Sequence, residues 1–154
     1  MNIRRATMDE CDIEAIVHHR KSMFRDMGYA DESALDVMSD RFRPWLRLKM
    51  EASEYLGWFA LASDSSIASG LGLWLMDWPP HMVAAGRRRG NILNVYTEPS
   101  HRRQGMARAL MQIALDWCAA NQLDIVILHS SDDGRGLYES LGFEATNEMR
   151  LIQR

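Results

Sequence analysis

Asn94-Val95-Tyr96-Thr97-Glu98-Pro99-Ser100-His101-Arg102-Arg103-Gln104-Gly105-Met106-Ala107 passes from an apolar strand through a basic turn into a helix. The first amides of a helix have no intrahelical partner and carry the positive end of its dipole, so a helix start attracts anions. Gly105 and Ala107 are small enough to let an anion approach the backbone, and Arg102 and Arg103 add charge. From the residues alone two readings stand. One is a phosphate or pyrophosphate cradle; the other is a plain strand-to-helix turn with surface arginines. The familiar phosphate loops G-x-x-x-x-G-K-[ST] and G-x-G-x-x-G are absent.

Working outward, the segment sits within a regular alternation of elements. Upstream, residues 3–6 read as a strand, and Thr7-Met8-Asp9-Glu10 reads as a capping box opening a helix over 8–27. Its apolar stripe is Ile13, Ile16, Val17, Met23, Phe24 and Met27, closed by Gly28. A second helix is predicted over 33–50, with Leu35, Met38, Phe42, Trp45 and Leu46 inward. Pro44 lies inside it, so the helix either kinks there or divides in two.

Residues 55–61 and 67–76 then form a hairpin across Ser63-Asp64-Ser65-Ser66. Trp78-Pro79-Pro80 closes the second strand, and a loop carrying Arg87, Arg88 and Arg89 is expected to reach Gly90. Residues 92–97 are the next strand. The helix over 105–120 turns Ala107, Leu110, Met111, Ala114, Trp117 and Cys118 inward. Ile125-Val126-Ile127-Leu128 reads as a strand buried on both faces, 136–141 as a short helix, and 143–145 and 148–152 as final strands.

The chain of 154 residues is expected to form a single domain, since about 150 residues is one domain's worth, with no repeat or linker interrupting. Hydrophobic residues are 47% and charged residues 25%, which argues against disorder, and a net charge of -3 argues against a nucleic-acid partner. Two cysteines are too few for a disulfide scaffold or a four-cysteine zinc site, and the five histidines show no metal-ligand spacing. No metal is expected. The charged N-terminus lacks a signal peptide's apolar region, and no run of about 18 apolar residues exists, so no membrane association and a cytoplasmic location are expected.

Arg-x-x-Gly-x-Ala after a strand, here Arg102 to Ala107, resembles the signature of the GNAT (general-control-related N-acetyltransferase) superfamily. Downstream, Leu137-Tyr138-Glu139-Ser140-Leu141-Gly142-Phe143 looks like that family's second conserved block. The element order matches as well, so the resemblance covers nearly the whole chain. It implies an α/β (α+β) fold: a mixed, mostly antiparallel central sheet with one splayed strand, flanked by about four helices.

The resemblance further implies acetyl-CoA as co-substrate. Its pyrophosphate would meet the turn Arg102, Arg103, Gln104, Gly105, Met106, Ala107 and Arg108. Its pantetheine arm would run along Val95, Tyr96 and Thr97, with Ser130 and Ser131 adding contacts. Tyr138 is implied as the acid that protonates the departing thiolate. Some members use an acidic residue at the start of the splayed strand, where this chain has Asn91, which cannot take a proton. Glu98 is the candidate base, beside a water relay. Met27, Tyr29, Trp74 and Trp78 are acceptor-lining candidates, with core packing the alternative for each.

The expected activity is N-acetyl transfer to a primary amine of a small molecule by direct attack. A non-catalytic acyl-CoA sensor and an acetyltransferase acting on protein lysines or N-termini are the alternatives. A homodimer is expected through the terminal strands, which would form a sheet edge of the kind family members often pair.

Overall fold

Alternation along a single strand divides the apolar residues between two cores. In residues 55–61, Leu56, Trp58 and Ala60 face one way and Tyr55 and Phe59 the other. The computed structural model describes residues 1–153. Its elements run β1 (Asn2–Arg5), α1 (Glu10–Asp26), α2 (Glu32–Glu51), β2 (Tyr55–Leu61), β3 (Ile67–Asp77), β4 (Arg88–Thr97), a 3-10 turn (Pro99–His101), α3 (Met106–Ala120), β5 (Val126–Leu128) and α4 (Arg135–Ser140). The strands pair in sequence order, β1-β2-β3-β4-β5. Every pair is antiparallel except β4 with β5. This is the mixed, mostly antiparallel sheet expected, with four flanking α-helices among the described residues.

On one face, Leu71, Leu73, Leu75 and Ile92 join Leu56 and Trp58 against Leu110, Met111, Ala114 and Cys118 of α3. On the other, Tyr55 and Phe59 meet Ile13, Ile16 and Val17 of α1 and Phe42 and Leu46 of α2. The glycines of β3 serve this second face. A Cβ on Gly70 would lie 2.5 Å from the His19 ring, and one on Gly72 would lie 2.0 Å from the Tyr55 hydroxyl. The strand is stripped of side chains where α1 and Tyr55 come closest.

The structure corrects several boundaries. The capping box does not form: Thr7 gives both its amide and its hydroxyl to Asp12, at 2.7 and 2.9 Å, and Glu10 pairs with Arg47. Asp12 is buried and already doubly bonded to Arg4, so its carboxylate competes better for those donors than the helix end does. Asp9 is the N-cap instead. The helix containing Pro44 is continuous from Glu32 to Glu51. The expected loop to Gly90 is shorter, because Arg88, Arg89 and Gly90 extend β4 and pair with Asp77, Met76 and Leu75. Ala107 is half-buried, and Met106 takes the inward place at the start of α3.

Two further corrections concern the C-terminal third. Val126–Leu128 is half-buried rather than enclosed on both faces, because β5 is a sheet edge that pairs with β4 alone. Residues 143–153 form no strand. Met149, Leu151 and Ile152 are exposed, so the apolar alternation there finds no half-buried surface within the chain to report.

Candidate active site

The site begins where β4 breaks register. Gly70 pairs with Tyr96 and Gly72 with Leu93, so one residue of β3, Leu71, faces two of β4, Asn94 and Val95. Asn94 takes a left-handed φ of 55°. Such a bulge turns neighbouring side chains onto one face and bends the strand. Here Leu93 and Asn94 both join the α1/α2 side, where Asn94 donates to Tyr55.

The bend has a second effect. β4 pairs with β5 only over Gly90, Asn91 and Ile92, and its last residues diverge from β5. Glu98 donates its amide to Ala68 of the β3 segment. By the alternation of a ladder, the amide of Tyr96 also turns toward β3, and those of Val95 and Thr97 turn to the open side. A wedge therefore opens between β4 and β5, with unpaired backbone donors along one wall.

Past the 3-10 turn, where the amides of His101 and Arg102 are paired, a second set of donors begins. Arg103 has φ 62° and Gly105 φ 79°, two left-handed residues around Gln104. The first intrahelical bond of α3 runs from the Ala109 amide to Gly105. Among the described residues the amides of 103–108 have no acceptor. A Cβ on Gly105 would meet nothing within 4 Å, so the space over the helix start is open. Met106 is buried, leaving its backbone rather than its side chain at the turn. This donor set fits a pyrophosphate.

The basic residues of the turn divide in role. Arg102 is tied down: its Nε donates to the Thr97 carbonyl at 3.0 Å and its Nη2 to Asp26 of α1 at 2.6 Å, with the guanidinium over Tyr96. Arg108 reaches across to Ser140 of α4 at 2.7 Å. Arg103 is exposed and in no ion pair among the described residues, and Gln104 is exposed. Ser130 and Ser131 lie just past β5; Ser130 donates to the Ser131 carbonyl, and the Ser131 hydroxyl accepts from the Gly134 amide.

Tyr138 stands on α4, half-buried against the sheet–α3 core, with its ring edge-on to Phe143 at 6.1 Å. Burial pushes its phenol above the ordinary value, which keeps it protonated at neutral pH. Its hydroxyl has no hydrogen-bond partner among the described residues.

Glu98 follows β4 directly and faces α1: its Oε1 lies 2.7 Å from His18 Nε2 and 3.9 Å from His19 Nε2. His19 is buried beside Phe59 and Tyr96. Burial, helped by the neighbouring His18, pushes its pKa down to about 4, so it is neutral at pH 7. Sequence reasoning named Glu98 but did not join His18 and His19 to it, because α1 and the end of β4 are far apart in the chain.

Of the acceptor-lining candidates, Trp74 lines a cavity of about 570 Å³ together with Arg20, Met38, Phe42, Trp45 and Leu93. Met27, Tyr29 and Trp78 do not line it. Met27 and Tyr29 are exposed at the α1–α2 turn, and Trp78 is covered by the Arg89 guanidinium at 3.2 Å from its ring centre. Arg20 and Asn94 are the residues sequence reasoning missed here. Asn94 had a signal, a polar residue within an apolar strand.

Comparison with known proteins bears on this geometry. The Acetyltransferase (GNAT) family matches residues 13–143. The chain belongs to that family. A GCN5-related N-acetyltransferase from Ralstonia eutropha is 34% identical and superposes with a TM-score of 0.91 over 99% of this chain and 97% of that one. A predicted acetyltransferase from Clostridium acetobutylicum, solved with acetyl-CoA, is 25% identical, with a TM-score of 0.85 over 99% of this chain and 95% of that one. A glucosamine 6-phosphate N-acetyltransferase from Trypanosoma brucei brucei is 36% identical over 73 residues, 47% of this chain and 50% of that protein. The match to this curated relative therefore spans half of its length. No helix among the described residues is long and apolar enough to cross a membrane, and they contain no cluster of metal-ligating side chains.

Proposed function

We infer that this GNAT protein is an acetyl-CoA-dependent N-acetyltransferase whose acceptor is the primary amine of a small molecule, attacked directly with no acyl-enzyme stage. One observation carries the reading. The amides that β4 turns to its open side and, past the 3-10 turn, the unpaired amides of residues 103–108 make two sets of donors, one suited to an amide-bearing arm and the other to a pyrophosphate. Family membership and a relative solved with acetyl-CoA support it. The small-molecule acceptor is supported by the relative named for glucosamine 6-phosphate.

Acetyl-CoA supplies the activated acyl thioester. The chain's residues do the rest. The amides of 103–108 and the side chains of Arg103 and Arg108 hold the pyrophosphate, with Arg102 fixing the turn against α1. Val95, Tyr96 and Thr97 align the arm, and Ser130 and Ser131 border the wedge at the end of β5. Strand amides at the bulge support negative charge on the carbonyl oxygen. Glu98, hydrogen-bonded to His18, is the candidate receiver of the amine proton. Tyr138 donates its proton to the leaving sulfur. Cys118 offers no competing nucleophile: it is buried, with its thiol pushed up to about 11 by desolvation.

Two free cysteines suit a reducing, cytoplasmic setting. The exposed Met149, Leu151 and Ile152 lie in the segment after α4 and support a homodimer in which a second copy covers them. Light scattering of wild type and Leu151→Glu tests this: dimer and monomer respectively are expected, and a monomeric wild type at high concentration removes the dimer.

The activity is tested by thiol release from acetyl-CoA against a panel of small primary amines and of peptides. Release with small amines is expected. Tight acetyl-CoA binding without release for any amine identifies a sensor, and release with peptides alone identifies a protein-modifying enzyme.

A further inference from the structure

Arg20 is a cation built into an apolar wall. It lies on α1 with its guanidinium held between two rings, 4.9 Å from the centre of Phe24 and 4.7 Å from that of Phe42. One of its five donors is used: Nη1 donates to Asn94 Oδ1 at 2.8 Å. Its Nε is buried with no partner among the described residues. Arg20 takes part in none of their ion pairs, although arginines along α1 and α2 such as Arg25, Arg43 and Arg47 each have a carboxylate.

The cavity it lines, about 570 Å³, contains no acidic side chain. Its other lining is Ala34, Val37, Met38, Phe42, Trp45, Trp74 and Leu93, and its second charge is Arg41, at the exposed rim. A desolvated cation without a counter-charge is costly and is normally compensated. Here Arg20 faces a pocket of aromatic and aliphatic walls with the exposed Arg41 at its rim, and among the described residues neither is in an ion pair. One residue of its lining, Leu93, precedes the bulge from which the wedge opens.

We propose that Arg20, with Arg41 at the rim, binds an anionic group of the acceptor, so that the substrate is an amine carrying a carboxylate or phosphate on a body apolar enough to pack against Trp45 and Trp74. This rests on the transferase reading above and names its substrate class. The Asn94 bond gives Arg20 a fixed direction, and stacking between Phe24 and Phe42 removes rotamer freedom, so little ordering cost remains when the anion binds.

The test is calorimetry with matched probes that cannot be acetylated: 3-phenylpropanoate against 3-phenylpropanol for the carboxylate, and phenyl phosphate against benzyl alcohol for the phosphate. For at least one pair the anion should bind wild type at least about tenfold more tightly, the scale of one charge-assisted hydrogen bond. The favoured pair names the anion. Arg20→Gln should erase the preference, Arg20→Lys should keep part of it, and Arg41→Gln should reduce it. Equal binding of both members of both pairs to folded wild type, or no binding of any probe, overturns the proposal. So does a preference that survives Arg20→Gln. The wild-type comparison stands even where a variant fails to fold. An anion preference without thiol release for any amine rejects the transferase reading and leaves the anion seat standing. Thiol release with neutral amines alone does the reverse.

Discussion

Asn94 donates from Nδ2 to the Tyr55 hydroxyl at 3.0 Å, and that hydroxyl occupies the space that a side chain on Gly72 would fill. The bond crosses from β4 to β2 over the glycine of β3 that lies between them. Arg20 holds the other end of the same amide. Tyr55 is buried, and its phenol is pushed up to about 12, chiefly by desolvation, so it stays a neutral partner over the working pH range. This chain of contacts pins a left-handed residue inside a strand, and the pinned residue sets the bend that separates β4 from β5.

Tyr55→Phe should therefore weaken more than local packing. It leaves a buried Asn94 donor unpaired, at a cost of about 1–3 kcal/mol. Gly72→Ala should cost at least as much, because its Cβ meets the hydroxyl at 2.0 Å with the tyrosine walled in by Trp45 and α1. Urea unfolding measures both. Calorimetry on the folded Tyr55→Phe protein should also show weaker acetyl-CoA binding. A variant with unchanged stability and affinity would mean that the bulge holds without the tyrosine.

Stability should fall in two acid steps. His19 has a folded pKa near 4 against an ordinary 6.5, so between those values the unfolded chain binds the extra proton. Its contribution is present above about pH 6.5 and is lost as pH falls toward 4. Asp12 is lowered to about 2 from 3.8, first by the Arg4 hydrogen bonds, and its contribution, about 2 kcal/mol, is present above pH 4 and lost between there and 2. His19→Gln should flatten the upper step and leave the lower. Unfolding curves collected from pH 7 to pH 2 check this, and an unchanged upper step in His19→Gln would assign the loss to another group.

The helices were legible because helical periodicity names the face that is buried, and in α1 and α3 that face is written within one turn of its neighbours. Leu110, Met111, Ala114 and Cys118 are found where spacing puts them. The open turn was legible for the same reason: the left-handed Gly105 and the amides without acceptors around it are backbone features of one short segment. Arg20 and Asn94 were not, since they meet across 74 residues and neither carries a motif. The C-terminal strands were misread because alternation reports a half-buried surface, and Met149 and Leu151 find none within the chain. The ion pair of Arg102 with Asp26 was not legible, since Asp26 shares no local pattern with it.

Gly105→Glu tests the cradle. Its φ of 79° is left-handed, so any side chain there carries strain of about 1–2 kcal/mol, and the open space above it would receive a negative charge where phosphate is to bind. Gly105→Ala separates the two effects, since it has the strain without the charge. Calorimetry should show acetyl-CoA affinity reduced in the alanine variant and lost in the glutamate variant. A folded Gly105→Glu protein with wild-type affinity would show that the pyrophosphate binds elsewhere.

Tyr138→Phe separates chemistry from packing. The ring, its edge contact with Phe143 and its place against the α3 core are kept, and only a hydroxyl with no internal partner is removed. Stability should hardly change, because no buried hydrogen bond is broken. Acetyl-CoA affinity should also hold, because the interaction removed belongs to the departing thiolate and not to the bound thioester. Turnover should fall by roughly 10²–10⁴-fold, the usual contribution of general acid catalysis. Product release can mask that loss at steady state, so single-turnover measurement is the right comparison. The high side of the pH–rate profile should change as well. The phenol is raised above its ordinary value, so the wild-type rate should stay supported well into the alkaline range, and that dependence should vanish in Tyr138→Phe. Wild-type single-turnover rates in the variant, on an acceptor that wild type acetylates, would remove Tyr138 from the reaction and leave the thiolate to depart unprotonated.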